Sequence, residues 1–213
     1  MEKILLREED ITALREKVRP YLTEKRYLHT LSVEREADRL GKIYLPDECM
    51  RLRAAALLHD ITKKESHAGQ LQYCSEFGII LKSGDKSDEV YHAITASYLA
   101  ARDFSEYTDS GIISAVRHHT TGGADMTLFD ALIYLADFIE ETRTFEGCRM
   151  LRSYFIDRSE CGDDKFDVLY DTLVKSFDMT LSHLIEKGSV IDPDTVDARN
   201  LCIARKLSRE EEN

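Results

Sequence analysis

An all-α bundle in a single domain is the fold class this sequence predicts. Three observations carry it. Apolar residues recur three and four positions apart over long stretches, runs of alternating β-branched residues are scarce, and only three prolines (Pro20, Pro46 and Pro193) interrupt 213 residues. Hydrophobic residues at 43% suffice for one sizeable core, and charged residues at 32% suit a soluble surface.

The elements follow in order. A first helix is expected over residues 8–19 and a second over 24–42, where His29 falls on the apolar stripe of Val33, Ala37 and Leu40. Pro46-Asp47 opens a third over 47–59, whose run Ala54-Ala55-Ala56-Leu57-Leu58 ends at His59-Asp60. Residues 64–77 form the fourth, and Gly84-Asp85 breaks the chain before a fifth over 87–103. There His92 shares a face with Thr95, Ala96 and Leu99. The sixth, 109–120, aligns His119 with Ile112, Ala115 and Val116, and Gly122-Gly123 ends it. In the seventh, 126–142, Asp137 lies inside Ile133-Tyr134-Leu135-Ala136-Asp137-Phe138-Ile139. Residues 146–156 follow, and then 164–187, with Phe166, Leu169, Leu173, Phe177, Leu181 and Leu184 at helical spacing. Asp192 caps the last helix, 193–208, with Pro193 at its first position, and residues 209–213 form a solvated end that frays.

A formal charge of −11 excludes binding of nucleic-acid polymers by bulk charge, so positive charge for a phosphate must be local. Five scattered cysteines (Cys49, Cys74, Cys148, Cys161 and Cys202) form no Cys-x-x-Cys pair, which argues for a reducing cytoplasm and against a zinc-thiolate site. The N-terminal residues Met1–Glu8 lack the apolar core of a signal peptide, and no segment is long and apolar enough to enter a membrane. Oligomeric state is not encoded in any motif; a homodimer is one state the sequence admits.

Each inward polar residue has an ordinary explanation taken alone. A single core histidine finds one hydrogen-bond partner, and Asp137 forms a salt bridge with a cation from another helix. The set is harder to explain separately. His29, His59, His92 and His119, with Asp60 and Asp137, put four of the seven histidines and two carboxylates on inward faces of five helices. One metal centre accounts for all of them, since imidazole nitrogen and carboxylate oxygen are both good ligands. His118 lies on a weaker face beside Gly111, Ser114 and Ala115 and is assigned a peripheral role; His67 and His183 are read as surface or packing residues.

These residues stand in distinctive local sequences: Arg26-Tyr27-Leu28-His29, Leu57-Leu58-His59-Asp60-Ile61-Thr62-Lys63, Arg117-His118-His119-Thr120-Thr121-Gly122, and Leu135-Ala136-Asp137-Phe138-Ile139-Glu140 with Arg143. Ile191, Thr195 and Ala198-Arg199-Asn200 complete the pattern. Over nearly its full length the chain resembles the HD superfamily of metal-dependent phosphohydrolases, and more narrowly the YqeK-type branch of symmetrical diadenosine tetraphosphatases. It departs from that branch at Ser32, where Gly is usual, and at Glu141, where Pro is usual.

The resemblance implies an HD-type bundle: an N-terminal helix over 1–20, the metal-binding catalytic core over 21–145, and C-terminal helices over 146–208 packed on it. It implies a first metal held by His29, His59, Asp60 and Asp137, with Asp60 bridging to a second held by His92 and His119. Iron is the metal it suggests; manganese or another borderline ion would fit the same donors. The implied reaction is attack of a metal-bridging hydroxide on phosphorus, cutting diadenosine tetraphosphate into two ADP. Asp60 and Lys63 are the expected catalytic residues. Arg26, Lys63, Thr120, Thr121, Gly122 and Arg143 are the expected substrate contacts, because guanidinium forks and exposed turn amides suit phosphate. Other HD activities compete: a nucleotidase, a guanosine tetraphosphate hydrolase or a cyclic-nucleotide phosphodiesterase. A dinuclear-iron oxygenase and a nucleotide-sensing module are more distant readings.

Overall fold

Capping chemistry sets the helix boundaries in this chain. The computed structural model describes residues 3–80 and 90–212. Among them are ten α-helices and no strand: α1 Glu8–Val18, α2 Glu24–Tyr44, α3 Cys49–Leu58, α4 His67–Glu76, α5 Tyr91–Asp103, α6 Ser110–His118, α7 Leu128–Ile139, α8 Glu146–Glu160, α9 Lys165–Glu186 and α10 Pro193–Glu212. The expected Gly84-Asp85 break and the start of the fifth helix lie outside the described residues.

Side chains stop the helices where periodicity alone could not. Thr23 accepts from the Arg26 amide, and Asp109 from the amides of Gly111 and Ile112. Thr127 and Asp130 form a reciprocal capping box, so α7 starts at Leu128 and not at 126. It ends at Ile139 because Glu140 turns to an extended ψ of 152°. Pro46–Glu48 makes a 3₁₀ turn ahead of α3, which therefore begins at Cys49. Asp192 accepts from the Asp194 amide, as expected of the cap before Pro193. The final helix runs past its expected end at 208. It continues to Glu212, with Arg209 bound to Asp164 at 2.7 Å and to Asp167 at 3.4 Å.

Helix α3 is the centre of the bundle. Leu52 and Ala54 through Leu58 are fully buried, and α3 packs on α1, α2, α6 and α7. The small side chains of Ala54, Ala55 and Ala56 let neighbouring backbones approach closely. Two arginines on this helix are also buried, each neutralised by carboxylates. Arg51 binds Asp109 at 2.6 and 2.7 Å, and Arg53 binds Glu34 at 2.9 Å and Glu8 at 2.5 and 2.7 Å. Asp109 also caps α6 and accepts from the Ile4 amide, so one carboxylate ties the N-terminal segment, α3 and α6 together.

The C-terminal helices cover the far side. Phe177 of α9 is fully buried and stacks on Tyr134 of α7 with ring centroids 4.4 Å apart. Leu181 and Leu184, one and two turns further on, are only half-buried, so the C-terminal part of α9 extends past the core. The five cysteines are unpaired thiols. No helix among the described residues is long and apolar enough to cross a membrane.

Candidate metal centre

Two histidines reach the centre by the same local device. His59 follows the last residue of α3 and His119 the last residue of α6, where helix carbonyls lack intrahelical partners. The His59 Nδ1 bonds the Ala56 carbonyl at 2.6 Å, and the His119 Nδ1 bonds the Val116 carbonyl at 2.7 Å. Each ring thereby donates from Nδ1 to a carbonyl and aims its Nε2 inward. Asp60 follows His59 in a tight turn closed by Lys63 N–H donating to the Asp60 carbonyl at 2.9 Å. His29 comes from α2, His92 from α5 and Asp137 from α7.

Asp60 presents its two oxygens to two sides. Its Oδ2 lies 3.1 Å from His59 Nε2 and 3.8 Å from His29 Nε2. Its Oδ1 lies 3.3 Å from His92 Nε2 and 3.6 Å from His119 Nε2. Asp137 Oδ1 stands 3.0 Å from His29 Nε2 and 3.9 Å from His59 Nε2. Two triads have donor atoms all within 4.8 Å of one another: His29, His59 and Asp137, and His59, Asp60 and His119. His92 sits at the edge of the second, 3.0 Å from His119 Nε2. All six candidate ligands thus converge on one place.

The donor chemistry fits a cation. His29 Nε2 and His59 Nε2 are enclosed and make no hydrogen bond within the protein. Both point at ionised carboxylates. Burial would raise Asp60 and Asp137, but the surrounding imidazoles, and for Asp137 the Arg143 guanidinium, hold both well below the usual carboxylate range. Burial pushes His92 down to about 4 and also lowers His119, so both present lone pairs at neutral pH. Enclosed imidazole nitrogens facing carboxylates are satisfied by a bound metal ion.

The acid side of this cluster has a measurable consequence in the metal-free protein. His92 falls to about 4 from 6.5, so its buried neutral form loses stability as pH drops through that interval. Burial works against Glu140, yet its hydrogen bonds with His29 and Thr142 lower it to about 2 from 4.5, and that stability is lost as pH falls further. His29 is opposite in sign. Burial disfavours its charged form, but the carboxylates of Asp137 and Glu140 raise it to about 9, so its contribution is intact everywhere below 6.5. The melting temperature of chelator-treated protein should therefore fall steadily from pH 6.5 to pH 3, with His92 alone accounting for on the order of 3 kcal/mol. A flat profile over that interval would contradict the burial of a neutral His92.

A cleft of about 230 Å³ opens onto the ligands. Arg26, Lys63, Thr120 and Arg143 line it, as the sequence suggested. Arg26 donates to Asp60 Oδ2 at 2.8 Å and Arg143 to Asp137 Oδ1 at 2.5 Å. Lys63 Nζ lies 3.2 Å from His92 Nδ1, and burial lowers its ammonium pKa despite the nearby Asp60. The Thr120 hydroxyl is 3.1 Å from His119 Nε2.

Two expected contacts are not on the cleft wall. Thr121 is buried and donates to the Gly122 carbonyl at 3.1 Å. Gly122 has φ +67°, closes the end of α6 through the His118 carbonyl, and packs under Ala198 and Phe177. His118 turns aside toward Ser114 and Asp130. Larger grooves exist, one of about 450 Å³ between α9 and α10, but no imidazole lines that one.

Four residues at the site were not singled out from the sequence. Tyr134, Phe138 and Thr180 line the cleft, and Glu140 contacts His29. Tyr134 and Glu140 lie three residues before and after Asp137, so helical phase would have placed both beside it. Thr180 carries no such signal, because α9 reaches the site only through tertiary packing.

Comparison with known proteins identifies the family. The HD domain family matches residues 26–142, which contain all six candidate ligands. The chain is 32% identical to a symmetrical bis(5'-nucleosyl)-tetraphosphatase of Halalkalibacterium halodurans, over 86% of this chain and 91% of that one. It is 31% identical to the Bacillus subtilis protein of that name, over 84% and 89% of the two chains. A crystal structure from Clostridium acetobutylicum, described as a predicted HD superfamily hydrolase involved in NAD metabolism, is also similar. It superposes with a TM-score of 0.79 at 31% identity, over 96% of this chain and all of that one.

Proposed function

The chain belongs to the HD domain family, and from that premise we propose that it hydrolyses diadenosine tetraphosphate at the central anhydride, releasing two ADP. The metal ligands in this reading are His29, His59, Asp60, His92, His119 and Asp137. Iron is the proposed metal, and manganese is the alternative the same donors accept. The observation that carries the reading is the Asp60 carboxylate, whose two oxygens face separate pairs of imidazoles. Bound ions would lower the pKa of a water molecule and offset charge on the phosphoryl oxygens.

The chain's own residues supply binding and orientation. Arg26 and Arg143 neutralise Asp60 and Asp137 in the metal-free site. Once those carboxylates face a cation, the guanidinium groups can turn their N–H forks to phosphate oxygens. Lys63, set between Asp60 and His92, adds a point charge against the phosphoryl group. The Thr120 hydroxyl can donate a hydrogen bond to it. Tyr134, Phe138 and Thr180 form the less polar wall and limit water access.

Size bears on where the bond is cut. A cleft of about 230 Å³ is too small for a whole dinucleoside tetraphosphate. In this reading the inner phosphates enter the cleft and both nucleosides stay at the rim, with the central anhydride over the metal ligands. The test is product analysis after incubation with diadenosine tetraphosphate and iron or manganese. ADP should be the sole nucleotide product, and chelator should stop its formation. ATP with AMP, or no cleavage with either metal, would overturn the reading.

A further inference from the structure

His29 differs from the other candidate ligands in what holds its second nitrogen. His59 and His119 sit at helix ends and use backbone carbonyls that the helix leaves unbonded. His29 lies inside α2, Glu24–Tyr44, where the neighbouring carbonyls are engaged in the helix. Its Nδ1 must find an acceptor on another element. The acceptor is Glu140 Oε1 at 2.9 Å, on a side chain with no solvent exposure.

The carboxylate is itself fixed. The Thr142 amide donates to Oε2 at 2.5 Å, and the Thr142 hydroxyl donates to Oε1 at 2.7 Å. Arg152 of α8 pins the segment behind it through the carbonyls of Ile139, Glu140 and Arg143. A carbonyl or amide oxygen would satisfy a merely structural imidazole. Burying a full charge for that purpose is costly. A carboxylate additionally fixes the tautomer and raises the electron-donating strength of Nε2, as partners of metal-bound histidines do.

We propose that Glu140 is a positioning residue for His29, holding its Nε2 toward the metal centre and strengthening it as a ligand. The inference rests on the metal-centre reading above. The test is Mn²⁺ binding to the full chain by calorimetry, for wild type, Glu140→Gln, His29→Ala and the double variant. Glu140→Gln keeps the side-chain shape and should weaken Mn²⁺ binding about tenfold. Added to His29→Ala it should change affinity less than about twofold, because its effect passes through His29. Unchanged affinity in Glu140→Gln, or an equal loss in both backgrounds, would overturn the proposal. If His29→Ala itself binds Mn²⁺ like wild type, the metal-centre reading fails instead.

A second measurement does not depend on how the variants fold. In ¹⁵N-histidine-labelled wild type loaded with Zn²⁺, His29 should show a slowly exchanging, downfield proton on Nδ1. A proton on Nε2 would also overturn the proposal.

Discussion

Asp60→Ala should abolish formation of ADP from diadenosine tetraphosphate while the helical circular dichroism stays that of wild type. The loss is expected to reach about three orders of magnitude or more, since a misplaced metal centre forfeits upwards of 4 kcal/mol of charge stabilisation in the transition state. Asp60 belongs to the triad with His59 and His119, and its Oδ2 also faces His29 of the other triad, so its removal takes a ligand from one and an adjoining charge from the other. The fold should survive because Asp60 contributes no apolar contact to the core. In the metal-free state its partner Arg26 is about one-third exposed and can be solvated when released. Bound metal per chain, measured on the purified variant, should fall with activity. Turnover within tenfold of wild type would remove Asp60 from the centre and with it the two-sided arrangement. Arg26→Ala separates the roles: it should weaken substrate binding and leave metal content unchanged.

The position of Asp60 was legible because it directly follows His59, whose helical phase points inward. His29, His59, His92 and His119 each share a face with small or branched apolar residues, and the structure brings all four to one place. The same logic separated His119 from His118, which turns toward Asp130. Phase fails where the backbone leaves the helix or the contact comes from a distant segment. Glu140 stands in the sequence only as the last residue of the Leu135–Glu140 pattern; phase puts it near Asp137, but its contact with His29 depends on the extended backbone that folds the carboxylate back. Thr180 is separated from the other cleft residues by α8 and most of α9, and the packing of Phe177 and Ser176 on Tyr134 brings α9 close. Arg51 and Arg53 carry no local sequence signal of burial. They are interior because Asp109, Glu34 and Glu8 converge on them from other elements, a pairing no local pattern encodes.

Gly122 shows how a motif residue can serve the site from behind its wall. Its neighbour Thr120 faces the cleft, but Gly122 stands at φ +67° with its Cα turned to α10 and α9. A Cβ there would lie 2.5 Å from Ala198 Cβ and 3.0 Å from Phe177 Cζ. Neither neighbour can yield cheaply: Ala198 Cβ is fixed to a helix backbone, and Phe177 is held against Tyr134. Gly122→Ala therefore combines a left-handed backbone with overpacking, an expected cost of about 2–4 kcal/mol. For a chain of this length the melting temperature should drop by roughly 5–15 °C. Well below that melting point, kcat/KM should stay within tenfold of wild type, because no substrate contact is removed. The opposite pattern, an unchanged melting temperature with a large rise in KM, would mean that Gly122 meets the nucleotide directly. The comparison thus decides whether this glycine is present for its ligand or for the helices that hold Thr120 and His119 in place.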